Sequence, residues 1–299
     1  MTTQDMRQLT KVLNLQSTSD GDGVKIGRVA GFNRSEFSPF LMLDELKSDQ
    51  SKDYVGGFPP HPHRGIETLT YMRQGHFQHQ DHLGHIGQLR SGGAQWMAAG
   101  RGIIHSEMPM MEQGQLHGFQ LWINQAAKDK MQPAQYHDFQ PESITEHTFS
   151  PQSLLRVISG EVKANDETLT GPLMKTGVPA QIADWQAKGS ETLDYQVQTE
   201  YNLLIFVYEG QAEIQGQTIK QGQLALLPAS QSSRDRDQAV QKITNTIHIK
   251  AVNQVSLLLL SGQPIDEPVV HYGPFVMNSI DEINQTIDDY NQGKFETYQ

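Results

Sequence analysis

The 299-residue chain contains no cysteine. That absence excludes disulfides, thiolate metal ligands, paired-cysteine redox motifs and cysteine nucleophiles. Positive charge is also scarce: 23 Lys and Arg stand against 34 Asp and Glu, a net charge of −11 with histidine neutral. The basic residues do not cluster, and even Lys128 and Lys130 flank Asp129. No phosphate-tracking surface is expected, which sets aside direct nucleic-acid binding and attachment to an anionic membrane. Long apolar runs are missing too. Val255 to Leu260, interrupted by Ser256, is far too short to cross a bilayer. The start, Met1-Thr2-Thr3-Gln4-Asp5, lacks the positive region and apolar run of a signal peptide. The expectation is a soluble, cytoplasmic, monomeric protein.

Glycine (26) and proline (14) are frequent enough for a turn-rich globular chain. Between the turns lie short apolar or β-branched stretches: residues 66–72, 95–99, 116–124, 154–162 and 201–208. Their length and spacing predict an all-β protein of sandwich or barrel type. Residues 11–30 read as a hairpin around Asp20-Gly21-Asp22-Gly23. A calcium loop is rejected there because Val29 stands where a bidentate Glu is needed. Both halves carry a strand, glycine, short strand, turn and strand, from Thr68 onward and from Ile205 to Leu227. The repeat suggests a duplicated small barrel, with residues 1–140 and 141–299 as two domains and 126–150 as the connection. The chain should end in a structural helix. Ser279 can cap it, Glu282 completes a capping box, Ile283, Ile287 and Tyr290 form a stripe, and Gly293 fits the C′ position.

The chemistry lies in the first half. Eight of twelve histidines fall between positions 61 and 117, and none between 148 and 247. His61-Pro62-His63 and His105-Ser106-Glu107 are each pairs spaced i, i+2, which a strand places on one face. Two such pairs on neighbouring strands would bring three imidazoles and a carboxylate to one point. That donor set suits iron, manganese, nickel, copper or zinc. Glu67 is a rival carboxylate for Glu107, or an acceptor that orients a ligand imidazole. His76, His82 and His85 read as solvent-facing, and His117 as a structural strand residue. His79 and Asp81 either support the site or close a turn. Trp96 and Trp122 read as core, and Arg64 as a salt-bridge partner or a guide for anionic substrates.

Four blocks carry a resemblance. They are His61-Pro62-His63-Arg64-Gly65-Ile66-Glu67-Thr68, Trp96 through Pro109, His117-Gly118-Phe119-Gln120-Leu121-Trp122, and Glu267 through Asn278. In this order they resemble the pirin family of the cupin superfamily. The resemblance implies a bicupin: two antiparallel β-barrels of the double-stranded β-helix, or jelly-roll, type, with a short C-terminal helix and metal only in the first barrel. It implies His61, His63, His105 and Glu107 as metal ligands; the chemistry of flavonol cleavage then makes Glu107 the expected catalytic base. Fe(II) is the implied ion, with Mn, Ni, Cu or Zn as alternatives. One departure is Gln80 in His79-Gln80-Asp81-His82, where pirins commonly have Glu. Some pirins cleave the flavonol quercetin with dioxygen, so the implied activity is that of a quercetin 2,3-dioxygenase acting on a small enolic aromatic and O₂. Others act as iron-binding, redox-responsive regulators through a protein partner, which is the alternative role.

Overall fold

A computed structural model describes residues 7–229 and 244–297. The described residues are mostly β-strand, with one α-helix among them, Ile280–Asn291. It divides into two compact units. One comprises the chain up to Leu15, Arg34–Pro39 and Ile144–Pro264; the other comprises Gln16–Asn33, Phe40–Ser143 and Ile265 onward.

The first unit is an eleven-stranded antiparallel sheet. Its longest ladders join Asn202–Ile214 and Ala180–Gly189 to Thr244–Gly262. Alternation along these strands sends Trp185, Leu203, Ile205, Val207, Leu257 and Leu259 into a single apolar core. The second unit holds a seven-stranded sheet and a four-stranded sheet, both antiparallel. Val24, Ile26, Leu46, Met72, Phe77, Leu89 and Leu116 pack together within it, as do Leu41, Ile66, Met97, Ile103 and Val276. Among the described residues the ladders keep open edges and do not close on themselves.

Several boundaries differ from the sequence reading. The expected 11–30 hairpin is two things: Gln16–Asp20 pairs with Val24–Ala30, while Lys11–Asn14 pairs with Gln223–Leu227, Lys11 opposite Leu226. The stretch 126–150 is not simply a connection. Gln135–Phe139 adds a strand beside Ala94–Ala98, and Gln95 donates to Asp138 Oδ1 at 2.8 Å and to the Tyr136 hydroxyl. After the short excursion at Arg34–Pro39, the chain passes to the other unit again only beyond Ser143. The end of the chain also returns: residues 265–297, expected with the second half, cluster with the first.

That return has a clear physical cause. Phe275, Met277, Ile283 and Phe295 form one apolar cluster, with Ile104 packed on it. Phe275 bridges Arg64, and the Val276 amide donates to the Arg64 carbonyl at 3.0 Å. Gly65 follows with φ +78°, and a Cβ there would lie 2.0 Å from the Val276 oxygen. Only glycine permits this approach. The helix is capped as its sequence requires: Ser279 Oγ accepts from the Glu282 amide at 3.2 Å, and Glu282 Oε2 accepts from the Asn278 amide at 2.9 Å. Gly293, at φ +70°, terminates it.

Candidate metal centre

The strand Phe58–His63 carries three prolines within six residues. It sits at the edge of the four-stranded sheet, where a strand can lack amide donors. Its inner neighbour is Ile103–Pro109, with His61 opposite His105 and His63 opposite Ile103. The i, i+2 spacing then does what strand geometry demands. Ring centroids of His61, His63 and His105 lie 4.4 to 5.0 Å apart. One nitrogen from each ring lies within 4.8 Å of the other two, so the three can hold a metal ion.

Each ring has its Nδ1 engaged from outside. His61 Nδ1–H donates to the Pro59 carbonyl at 2.8 Å and His63 Nδ1–H to the Pro274 carbonyl at 3.4 Å. His105 Nδ1 meets His79 Nε2 at 2.5 Å. Carbonyl acceptors at Nδ1 leave the Nε2 lone pair of His61 and His63 free to ligate. His105 Nε2 is buried with no hydrogen-bond partner. An orphaned buried nitrogen beside two other ring nitrogens is the signature expected where an ion belongs.

Electrostatics agree. Burial, helped by the neighbouring His61, pushes the His63 imidazole down to about 3. Burial also holds His105 well below the usual histidine range, with His63, His61 and His79 adding to it. His79 is lowered as well, chiefly by burial, against the opposing charges of Glu107, Asp81 and Asp138. These rings are neutral at pH 7, the form that binds metal. The linkage has a sign. A proton that His63 takes up only in the unfolded chain leaves its contribution to stability full above about pH 6.5 and erodes it as pH falls toward 3, by up to about 1.4 kcal/mol per pH unit. Urea unfolding of metal-stripped protein should therefore give a free energy lower by about 1 kcal/mol at pH 5.5 than at pH 6.5 from His63 alone, with the other lowered imidazoles acting in the same direction. His63→Phe should remove one such share. A flat profile would contradict neutral imidazoles.

Glu107 lies two residues beyond His105 on the same buried face. Its Oε1 accepts from Thr70 Oγ1 at 3.1 Å and its Oε2 from Gln120 Nε2 at 2.8 Å. It is not one of the three residues whose donor atoms crowd together. Glu67 is buried on the adjacent sheet, where its Oε2 accepts from the Trp96 indole at 2.9 Å.

The Pirin family profile matches residues 23–123, and the Pirin C-terminal cupin domain profile matches residues 182–296. The chain belongs to the pirin family. This pirin is 57% identical over 292 residues to a Vibrio cholerae protein named "Putative quercetin 2,3-dioxygenase", covering 98% of this chain and 99% of that protein. A solved quercetin 2,3-dioxygenase from Acinetobacter baumannii superposes with a TM-score of 0.84 at 29% identity, covering 97% of this chain and 98% of that one. An Escherichia coli pirin solved in complex with nickel(II) shares the fold, with a TM-score of 0.59 at 20% identity over 85% of this chain and all of that one.

The other sequence candidates fall out as follows in this pirin. Asp81 closes a turn: its Oδ1 accepts from the Leu83 and His85 amides at 2.9 Å each. His79, buried, is the one of that pair that touches the site. His85 is exposed, but His76 and His82 are half-buried rather than solvent-facing, and His82 Nδ1 accepts from the Ile104 amide at 3.1 Å. His117 pairs with Glu45 at 2.9 Å. Trp96 is core, whereas Trp122 is only partly buried and meets His63 edge-on at 5.2 Å. Arg64 is a buried ion-pair residue: its Nη1 donates to Asp289 at 2.9 Å and to Thr286 at 3.2 Å, its Nε to the Arg101 carbonyl at 2.6 Å, and its guanidinium lies 4.5 Å from the Phe295 ring. Sequence reasoning missed Thr70, Gln120 and Tyr136. Their polar side chains at strand positions next to apolar ones were the available signal.

Proposed function

We propose that this pirin is a metal-dependent dioxygenase that opens the central ring of a flavonol such as quercetin, consuming O₂ and releasing carbon monoxide. We further propose that its two units are the two barrels of a bicupin, in the cytoplasm, with the reaction confined to the His-rich unit. The observation that carries the reading is the buried, unpartnered Nε2 of His105 set against His61 and His63, with a buried carboxylate two residues along.

His61, His63 and His105 hold the ion, Fe(II) in this reading, and Glu107 is the fourth ligand. Three neutral imidazoles and one carboxylate give a ligand set of charge −1, leaving open positions for substrate and O₂. Iron bound there supplies the redox change and the Lewis acidity that dioxygen chemistry needs. The chain supplies the rest. Glu107 takes the proton of the flavonol 3-hydroxyl. Thr70 and Gln120 each occupy one lone pair of its two oxygens, so they orient the carboxylate while leaving acceptor capacity on both. Trp122, partly buried against His63, offers an apolar flank beside the reacting centre. Aerobic incubation of the iron-loaded protein with quercetin should consume O₂ and release CO in equal amounts. Iron binding without turnover of quercetin or another flavonol would sink the reading.

A further inference from the structure

His79 has no part in the proposed reaction, yet it is 2% exposed and its Nε2 lies 2.5 Å from His105 Nδ1. On the strand His76–Asp81 it stands opposite Glu107, which puts it diagonal to His105 across the ladder. We propose that His79 is a positioning residue that fixes His105 in the Nδ1–H tautomer, so that the Nε2 lone pair of His105 turns toward His61 and His63. The inference rests on the metal reading of those three residues but not on the flavonol reaction.

The argument is a count of protons. Two neutral imidazoles whose Nδ1 and Nε2 lie 2.5 Å apart share one proton. If it sits on His105 Nδ1, the far nitrogen of His105 carries a lone pair, as a ligand must. If it sits on His79, His105 Nε2 carries a hydrogen directed where no acceptor stands. The first arrangement has its own cost. It puts a hydrogen on His79 Nδ1, which is also buried without a partner. A histidine serving only to fill space gains nothing from this, because an unpaired buried donor is destabilising. The ring itself is held firmly. It stacks on Tyr136 at 4.5 Å with 20° between planes, and Gln95 holds the Tyr136 hydroxyl. A phenylalanine would keep that stack and drop the orphan, but it could not accept from His105.

The test uses full-length protein stripped of metal, with Co(II) as probe and a competing chelator to read affinity. His79→Phe should bind Co(II) about 10- to 100-fold more weakly. His79→Gln, whose amide oxygen can accept, should recover most of the loss. The unfolding midpoint of metal-free His79→Phe should stay level or rise. Parent-like affinity in His79→Phe, or equal losses in both variants that track a fall in metal-free stability, would overturn the proposal. Should His79→Phe not fold, long-range proton–nitrogen NMR of the metal-free parent decides: His105 protonated at Nδ1 supports it and protonation at Nε2 overturns it. If His105→Ala keeps parent-like Co(II) affinity, the metal reading itself has failed, and with it this role for His79.

Discussion

Glu107→Gln is expected to lower kcat for quercetin by about 10²- to 10⁴-fold, the usual share of a positioned general base. The protein should still purify with most of its metal, because the three imidazoles are untouched. The amide fits the same space, and its oxygen can keep one of the two contacts from Thr70 and Gln120. The change therefore removes a proton acceptor with little else. Steady-state turnover and metal content, measured on the same preparation, separate the two roles. Full turnover would show that Glu107 is not the base. Near-complete loss of metal would make it chiefly a ligand. Running Glu67→Gln alongside sharpens the comparison, since Glu67 is engaged by the Trp96 indole rather than by these two side chains.

The second large effect is expected far from the imidazoles. Asp289→Ala removes the carboxylate that meets the fully buried Arg64 guanidinium and also receives Lys294 at 2.8 Å. Stripping one partner from a buried ion pair costs about 3–5 kcal/mol. For a chain of this size that is a fall of about 5–8 °C in Tm. The loss should reach the metal, because Arg64 directly follows His63, whose Nδ1 is held by Pro274 in the returning segment. Lys130, buried, adds to the same tie: its Nζ donates to the Gly65 carbonyl at 2.7 Å and the Val276 carbonyl at 3.0 Å. Paired substitution, Arg64→Met with Asp289→Leu, should recover much of the stability, since the pair then leaves no unpartnered buried charge of its own. Calorimetry and metal content of the two variants check this. A Tm within 2 °C of the parent in Asp289→Ala would mean that the helix does not secure the turn after His63.

What the sequence made legible was whatever depends on local spacing. A strand's period of two is enough to put His61 with His63 and His105 with Glu107. Ser279 and Glu282 announce a helix start without reference to anything distant. What it hid depends on register and on long returns of the chain. His79 and His105 are 26 residues apart, and only the pairing of Glu107 with His79 brings them together. No periodicity shows that Lys11–Asn14 completes a ladder with Gln223–Leu227. The same holds for residues 265–297, whose helix read as purely structural. Its Thr286 and Asp289 look like ordinary polar helix residues until Arg64 is found between them. Trp122 was misplaced for a related reason: alternation assigns a face, but it cannot tell a sealed core from the rim of a site.

The central claim is that His61, His63 and His105 form one metal centre, and elemental analysis tests it most directly. The full-length protein, expressed with ample iron and purified without chelator, should carry about one metal ion per chain, and His105→Ala should carry almost none while keeping its fold by circular dichroism. Metal content in His105→Ala equal to the parent's would contradict the account.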